Sequence, residues 1–142
     1  MQNSLKRWGS CAGLLVFITV ISGVLLLSHQ FGWSDNQVNE KKLTELRHKK
    51  QSDYWVVFRK TGCPDCAKVQ LLVSEQLLKN QMKSNQRKTK VVVIDVKPYE
   101  AHHYINEFGL TQVPTFIQVK GGREVYRYEG TNPADIKQMF AN

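Results

Sequence analysis

Hydrophobic spacing divides the chain into regions of three kinds. The first is an unbroken apolar run. Residues 11–27 read CAGLLVFITVISGVLLL, and with Gly9, Ser10 and Ser28 the uncharged stretch covers residues 9–28. At 1.5 Å rise per residue a helix of that length is about 30 Å long, the thickness of a bilayer's hydrocarbon core. Trp8 precedes it, and Phe31 and Trp33 follow it, as amphipathic rings do at the two membrane interfaces.

The second pattern is helical. Residues 36–51 carry Val38, Leu43 and Leu46 among polar neighbours, a weak amphipathic helix. From Pro64 to about residue 81, Val69, Leu72, Val73, Gln76 and Leu77 keep helical spacing, all apolar but Gln76. Residues 101–108 form a short helix closed by Gly109, and Thr131 or Asn132 caps a last helix that opens on Pro133 and ends near Phe140.

The third pattern is that of strands. Residues 54–58 (YWVVF) and 91–96 (VVVIDV) are short, almost continuously apolar and rich in β-branched or aromatic side chains, as buried strands are. Residues 115–119 and 124–128 flank Lys120-Gly121-Gly122-Arg123, a two-glycine hairpin signal. The order is helix, strand, helix, strand, helix, strand, strand, helix. A strand–helix–strand opening implies a parallel pair with a right-handed crossover, while the closing hairpin is antiparallel. The expected fold class is therefore α/β, a mixed sheet flanked by helices and preceded by one transmembrane helix. The divisions are 1–8 as a cytoplasmic N-terminus, 9–28 as anchor, 29–37 as linker and 38–142 as the folded domain.

Charge orients the anchor. Lys6 and Arg7 are the only charged side chains among the first 34 residues. The positive-inside rule then puts the N-terminus in the cytoplasm and the domain outside, a single pass through the cytoplasmic membrane. A cleaved signal peptide shares the basic start, but residues 25–30 (LLLSHQ) offer no small-x-small cleavage site, which favours an uncleaved anchor. Cys11 opens the apolar run rather than following it, unlike a lipidated cysteine. The net charge of +8 leaves the rest of the chain moderately basic. No helix-turn-helix, zinc-finger or RNA-binding aromatic motif accompanies it, so nucleic acid is not an expected partner. The cluster Lys79, Lys83, Arg87, Lys88 and Lys90 reads as a solvated helix end and loop.

The candidate chemistry sits where the first strand hands over to the long helix, at Cys63-Pro64-Asp65-Cys66 behind Gly62. With Cys63 as N-cap, Pro64 falls at N1, where its missing N–H costs nothing, and Cys66 at N3. A Cys63 thiolate there is favoured by unpaired N–H groups and by the positive end of the helix dipole. One turn of spacing can bring the two cysteines within disulfide range. Such a pair suits thiol–disulfide exchange, one sulfur attacking and the other resolving. The rival is half a zinc site. There is no second C-x-x-C, adjacent His102 and His103 lack the usual ligand spacing, and no metal is expected. A purely structural disulfide is disfavoured too, since closing so small a loop constrains the unfolded chain little.

YWVVFRKTGCPDC resembles the strand and active-site motif of thioredoxin-like proteins. Val113-Pro114-Thr115 is similar to that superfamily's cis-proline motif, and KGGREVYRYEG to its terminal hairpin, with Gly130 before the last helix. The resemblance covers residues 50–142. It implies that Pro114 is cis and stands beside Cys63 and Cys66, that these two form a redox-active disulfide with no other cofactor, and that Val113 offers backbone hydrogen bonds to a substrate segment flanked by Thr115.

There are departures as well. Housekeeping thioredoxins have tryptophan before the first cysteine and Gly-Pro between the two; here these positions are Gly62 and Pro64-Asp65. They carry a buried acid six residues before the first cysteine, where this chain has Val57. Proline after the first cysteine is similar to glutaredoxins and DsbA-type oxidants. With the anchor, the resemblance implies a membrane-tethered envelope oxidoreductase whose partners are exported or envelope protein thiols and disulfides, and a redox partner the sequence does not name. The alternative is a thioredoxin-fold binding or accessory subunit of a bacterial secretion, bacteriocin or conjugation system, with little redox turnover.

Overall fold

A computed structural model of the chain describes residues 16, 18–22, 36–49 and 52–141. The chain forms two compact units, residues 1–31 and 32–142. In the first, the described residues are helical, and Val16, Ile18, Val20 and Ile21 are exposed. No helix among the described residues is long and apolar enough to cross a membrane. The 9–28 anchor expected from the sequence lies mostly outside the described residues, as do Cys11 and most of the 29–37 linker.

In the second unit, the elements are α1 (Asn36–His48), β1 (Tyr54–Arg59), α2 (Pro64–Met82), β2 (Lys90–Asp95), a 3-10 turn (Tyr99–Ala101), α3 (His103–Glu107), β3 (Thr115–Lys120), β4 (Arg123–Glu129) and α4 (Pro133–Ala141). The strands form one sheet in the order β2-β1-β3-β4. β1 pairs with β2 in parallel and with β3 antiparallel, and the β3–β4 hairpin is antiparallel. This is the mixed, helix-flanked sheet that the apolar runs imply.

Alternation along the strands splits the core in two. Val56, Phe58, Val92, Ile94, Ile117 and Val119 face a cluster with Leu43 and Leu46 of α1, Ala101 and Tyr104. Trp55, Val57, Val91, Val93 and Phe116 face the other way, onto Val69, Val73 and Leu77 of α2 and Ile136, Met139 and Phe140 of α4. The aliphatic side chains of α2 thus fix that helix against the sheet, each contributing about 1.5–3 kcal/mol when fully buried. At the outer side of β2, Lys42 Nζ donates to Val91 O at 2.9 Å.

The short helix expected over 101–108 is present as α3, and the 3-10 turn, with Pro98 at its N-cap, leads into it. One local expectation is corrected: the end of α2 is not simply a solvated stretch. Asn80 is buried, donating Nδ2–H to Thr89 O at 2.6 Å and accepting the Thr89 N–H at 3.0 Å. At α4 the cap is Asn132, whose Oδ1 accepts the Ala134 N–H at 3.0 Å.

Candidate active site

β1 delivers the chain to the loop that carries the cysteines. Gly62 turns that loop with φ +86°, a left-handed conformation that glycine adopts without strain. The turn is closed by Cys63 N–H donating to Lys60 O at 3.1 Å. Cys63 is the extended N-cap of α2, Pro64 begins the helix, and Ala67 N–H donates to Cys63 O at 3.1 Å. Cys66, one turn in, is buried at 4% exposure, and both thiols are free.

The sulfurs have different partners. The half-buried Cys63 thiol donates to Val113 O at 3.7 Å, and its side chain makes no capping hydrogen bond. In this thiol form the sulfur's proton points across to the proline loop, while the first N–H groups of the helix, at Asp65 and Cys66, still act in favour of a Cys63 thiolate. Cys66 Sγ accepts the Lys60 N–H at 3.5 Å. Burial pushes the Cys63 thiol up, but the backbone N–H of Cys66, the Cys66 side chain and the backbone N–H of Asp65 outweigh it, and the net result is a lowered pKa. For Cys66 burial wins. Together with the neighbouring Cys63 it pushes that thiol up to about 11, against the opposing pull of the Lys60 N–H and the Arg59 charge. Asp65 is exposed and paired with Lys68 Nζ at 2.7 Å; its charge acts against the Cys63 thiolate.

The Val113–Pro114 peptide bond is cis. The segment around it is held from several sides. Thr115 is fully buried and its hydroxyl donates to Gln112 O at 2.6 Å. Gly130 N–H donates to Pro114 O at 3.4 Å, and Thr111 Oγ1 donates to Glu129 Oε2 at 2.9 Å. Arg127 spans Glu124 at 2.8 Å and Glu129 at 3.3 Å while donating to Phe108 O at 2.7 Å, which ties β4 to the chain entering this loop. Gly62, Cys63, Pro64 and Cys66 therefore lie in one loop and helix start, and Val113 meets Cys63 from the opposite side.

A further group was not singled out by the sequence. Asp95, at the end of β2, accepts from Arg59 at 2.7 Å, from the Thr61 N–H at 3.1 Å and from the Lys97 N–H at 2.9 Å, and it is also bonded to the Thr61 hydroxyl. Arg59 also donates to that hydroxyl. These bonds fasten the loop just ahead of Gly62 to β2. The signal available beforehand was an acid ending an otherwise apolar strand, opposite a strand ending in arginine. At position 57 the side chain is the fully buried Val57, in the apolar cluster beneath α2. His102 and His103 bond locally, to Lys97 O at 3.2 Å and Glu100 O at 2.7 Å.

The model of the thioredoxin-like domain family matches residues 40–142, so the chain belongs to that family. Among solved structures it is similar to mitochondrial thioredoxin 3 from Saccharomyces cerevisiae, with 23% identity and a TM-score of 0.55, covering 70% of this chain and 88% of that one. Thioredoxin NaTrxh from Nicotiana alata shows 24% identity and a TM-score of 0.57, covering 72% and 84%. Fasciola hepatica thioredoxin shows 21% identity and a TM-score of 0.56, covering 72% and 91%. At these identities the likeness is one of fold. No curated protein matches the chain.

Proposed function

We propose that the chain is a thiol–disulfide oxidoreductase acting on protein thiols and disulfides through Cys63 and Cys66, held at the outer face of the cytoplasmic membrane by residues 9–28. The observation that carries the redox reading is the asymmetry of the pair. Cys63 is half-exposed, lowered in pKa and bonded to Val113 O, whereas Cys66 is buried, raised to about 11 and reached through the Lys60 N–H.

In the reductive direction, the Cys63 thiolate attacks a client disulfide. A Cys63–client S–S bond forms, and the client's other sulfur leaves as a thiolate. Cys66 then gives up its proton to solvent and attacks Cys63. This forms the Cys63–Cys66 bond and frees the client's second sulfur. Two electrons pass from the dithiol to the client; oxidation of a client dithiol is the reverse. Val113 offers its backbone to the client segment, and Gly62, Pro64, Asp65, Pro114 and Thr115 shape the site. The test is insulin reduction and dithiol-peptide oxidation by residues 36–142. Activity lost on Cys63→Ser supports the reading, and its absence in the unsubstituted domain would remove it.

One observation favours the second reading, a binding or accessory subunit with little turnover. With Val57 in the cluster beneath α2, no carboxylate is buried there among the described residues to take the Cys66 proton, and burial raises the Cys66 thiol. Client retention that survives Cys63→Ser supports that alternative.

A further inference from the structure

One open groove of about 430 Å³ borders the cysteines on the α2 side, lined by Arg59, Lys60, Gly62, Cys63, Cys66 and Gln70 among others. Its lining residues include two cations and no carboxylate. The two cations are differently engaged. The Arg59 guanidinium is turned into the Asp95–Thr61 network and is only 13% exposed. The Lys60 side chain is exposed and, among the described residues, meets no acid. Nearby Lys68 is paired with Asp65.

What makes Lys60 more than a surface lysine is its backbone. Its N–H donates to Cys66 Sγ, and its C=O accepts the Cys63 N–H. The backbone of the residue is therefore pinned to both cysteines, so its side chain starts beside the sulfur that meets the client. We infer that Lys60 selects substrates, favouring protein segments in which an acidic side chain flanks the reacting cysteine. The inference rests on the oxidoreductase reading and extends it to substrate class.

The electrostatics around the pair support this choice. Asp65 is held by Lys68 and Arg59 by Asp95, so among the described residues lining the groove the Lys60 ammonium is the charge left to meet a client. It attracts an acidic flank and repels a basic one. Charges separated by several ångströms at a partly solvated surface shift rates by roughly three- to tenfold, and such an effect is screened by salt.

The experiment compares three disulfide-linked peptides that differ only beside the cysteine, with Glu, Gln or Lys. Each is mixed with the reduced domain, and peptide thiol release is followed under single-turnover conditions. The readout is the ratio of the Glu rate to the Lys rate, which a change in the common rate leaves untouched. A ratio of about three to ten that falls toward one in Lys60→Gln, and below one in Lys60→Glu, supports the proposal. So does collapse of the ratio near 1 M salt. Equal rates for all three peptides, or a preference unchanged by Lys60→Gln, would overturn this inference alone. If the neutral peptide does not react either, both the inference and the oxidoreductase reading fall.

Discussion

Arg59 and Asp95 are register partners on the parallel strands β1 and β2, and their side chains close an ion pair of 2.7 Å at the end of the sheet that carries the cysteines. Both side chains are largely covered, at 13% and 15% exposure. Because Asp95 also binds Thr61 through backbone and hydroxyl, the pair links the sheet edge to the turn before Cys63.

Asp95 therefore carries a prediction about stability and pH. Burial pushes its carboxyl up, but hydrogen bonds from the Thr61 and Arg59 side chains and from the Lys97 and Thr61 backbones outweigh it, leaving the pKa below the ordinary 3.8. The folded state thus binds this proton more weakly than the unfolded one. The stabilisation is present above the unfolded pKa and is lost as pH falls through the folded value. Asp95→Asn should cost about 1–3 kcal/mol at pH 7, and distinctly less at pH 3. Urea unfolding at both pH values measures it; an equal loss at both would show that the charge is not what matters.

The roles of the two cysteines are predicted from their surroundings. Cys63, lowered and half-exposed, should be alkylated faster than Cys66 below pH 7, because the thiolate is the reacting species. Cys66 should gain reactivity only as pH approaches about 11. Cys66→Ala should trap a client through Cys63, and Cys63→Ala should trap none. Alkylation of Cys66 first, read by peptide mass spectrometry, would reverse the assignment.

Asp65 sets the poise of the couple. Its charge opposes the Cys63 thiolate, so replacing it with a cation or neutral group favours the reduced form and makes the couple more oxidising. Asp65→His should raise the reduction potential by about 20–40 mV, the equivalent of about 1–2 kcal/mol for a two-electron couple. Equilibration with glutathione buffers reads the shift directly. No change would mean that Lys68 already neutralises Asp65 as seen from the sulfur.

Much of the fold is legible from local pattern. YWVVF and VVVID are strands because nearly every side chain is buried, and Lys120-Gly121-Gly122-Arg123 turns where two glycines adopt positive φ. The cysteine loop is legible for the same reason, since Gly62, Pro64 and the one-turn spacing act within a few residues. What stayed hidden depends on partners distant in sequence. Thr61 and Asp95 meet across 34 residues, and only the strand register brings them together. Asn80 looks like one more polar residue in a lysine-rich stretch until Thr89 folds back onto it. The 101–108 segment obeys helical spacing and holds α3, but the 3-10 turn at Tyr99–Ala101 ahead of it has no periodic signal.

Topology gives a prediction for the N-terminal segment. With Lys6 and Arg7 before an uncharged run, a tag placed after Asn142 should lie outside the cytoplasmic membrane. Protease added to intact cells, or to spheroplasts where an outer membrane blocks access, should remove that tag. Protection until lysis would place the domain inside.

The bond from Lys42 to Val91 bears on how this domain behaves when crowded. β2 is an edge strand of the four-stranded sheet, and an edge offers its carbonyls to any strand that passes. Here an ammonium from α1 occupies one of them, and desolvation together with neighbouring Lys88 makes that charge costly to hold. An incoming strand must first displace that ammonium from the Val91 carbonyl. A charged gatekeeper of this kind discourages edge-to-edge aggregation, and it leaves the face bearing Cys63 free to meet clients.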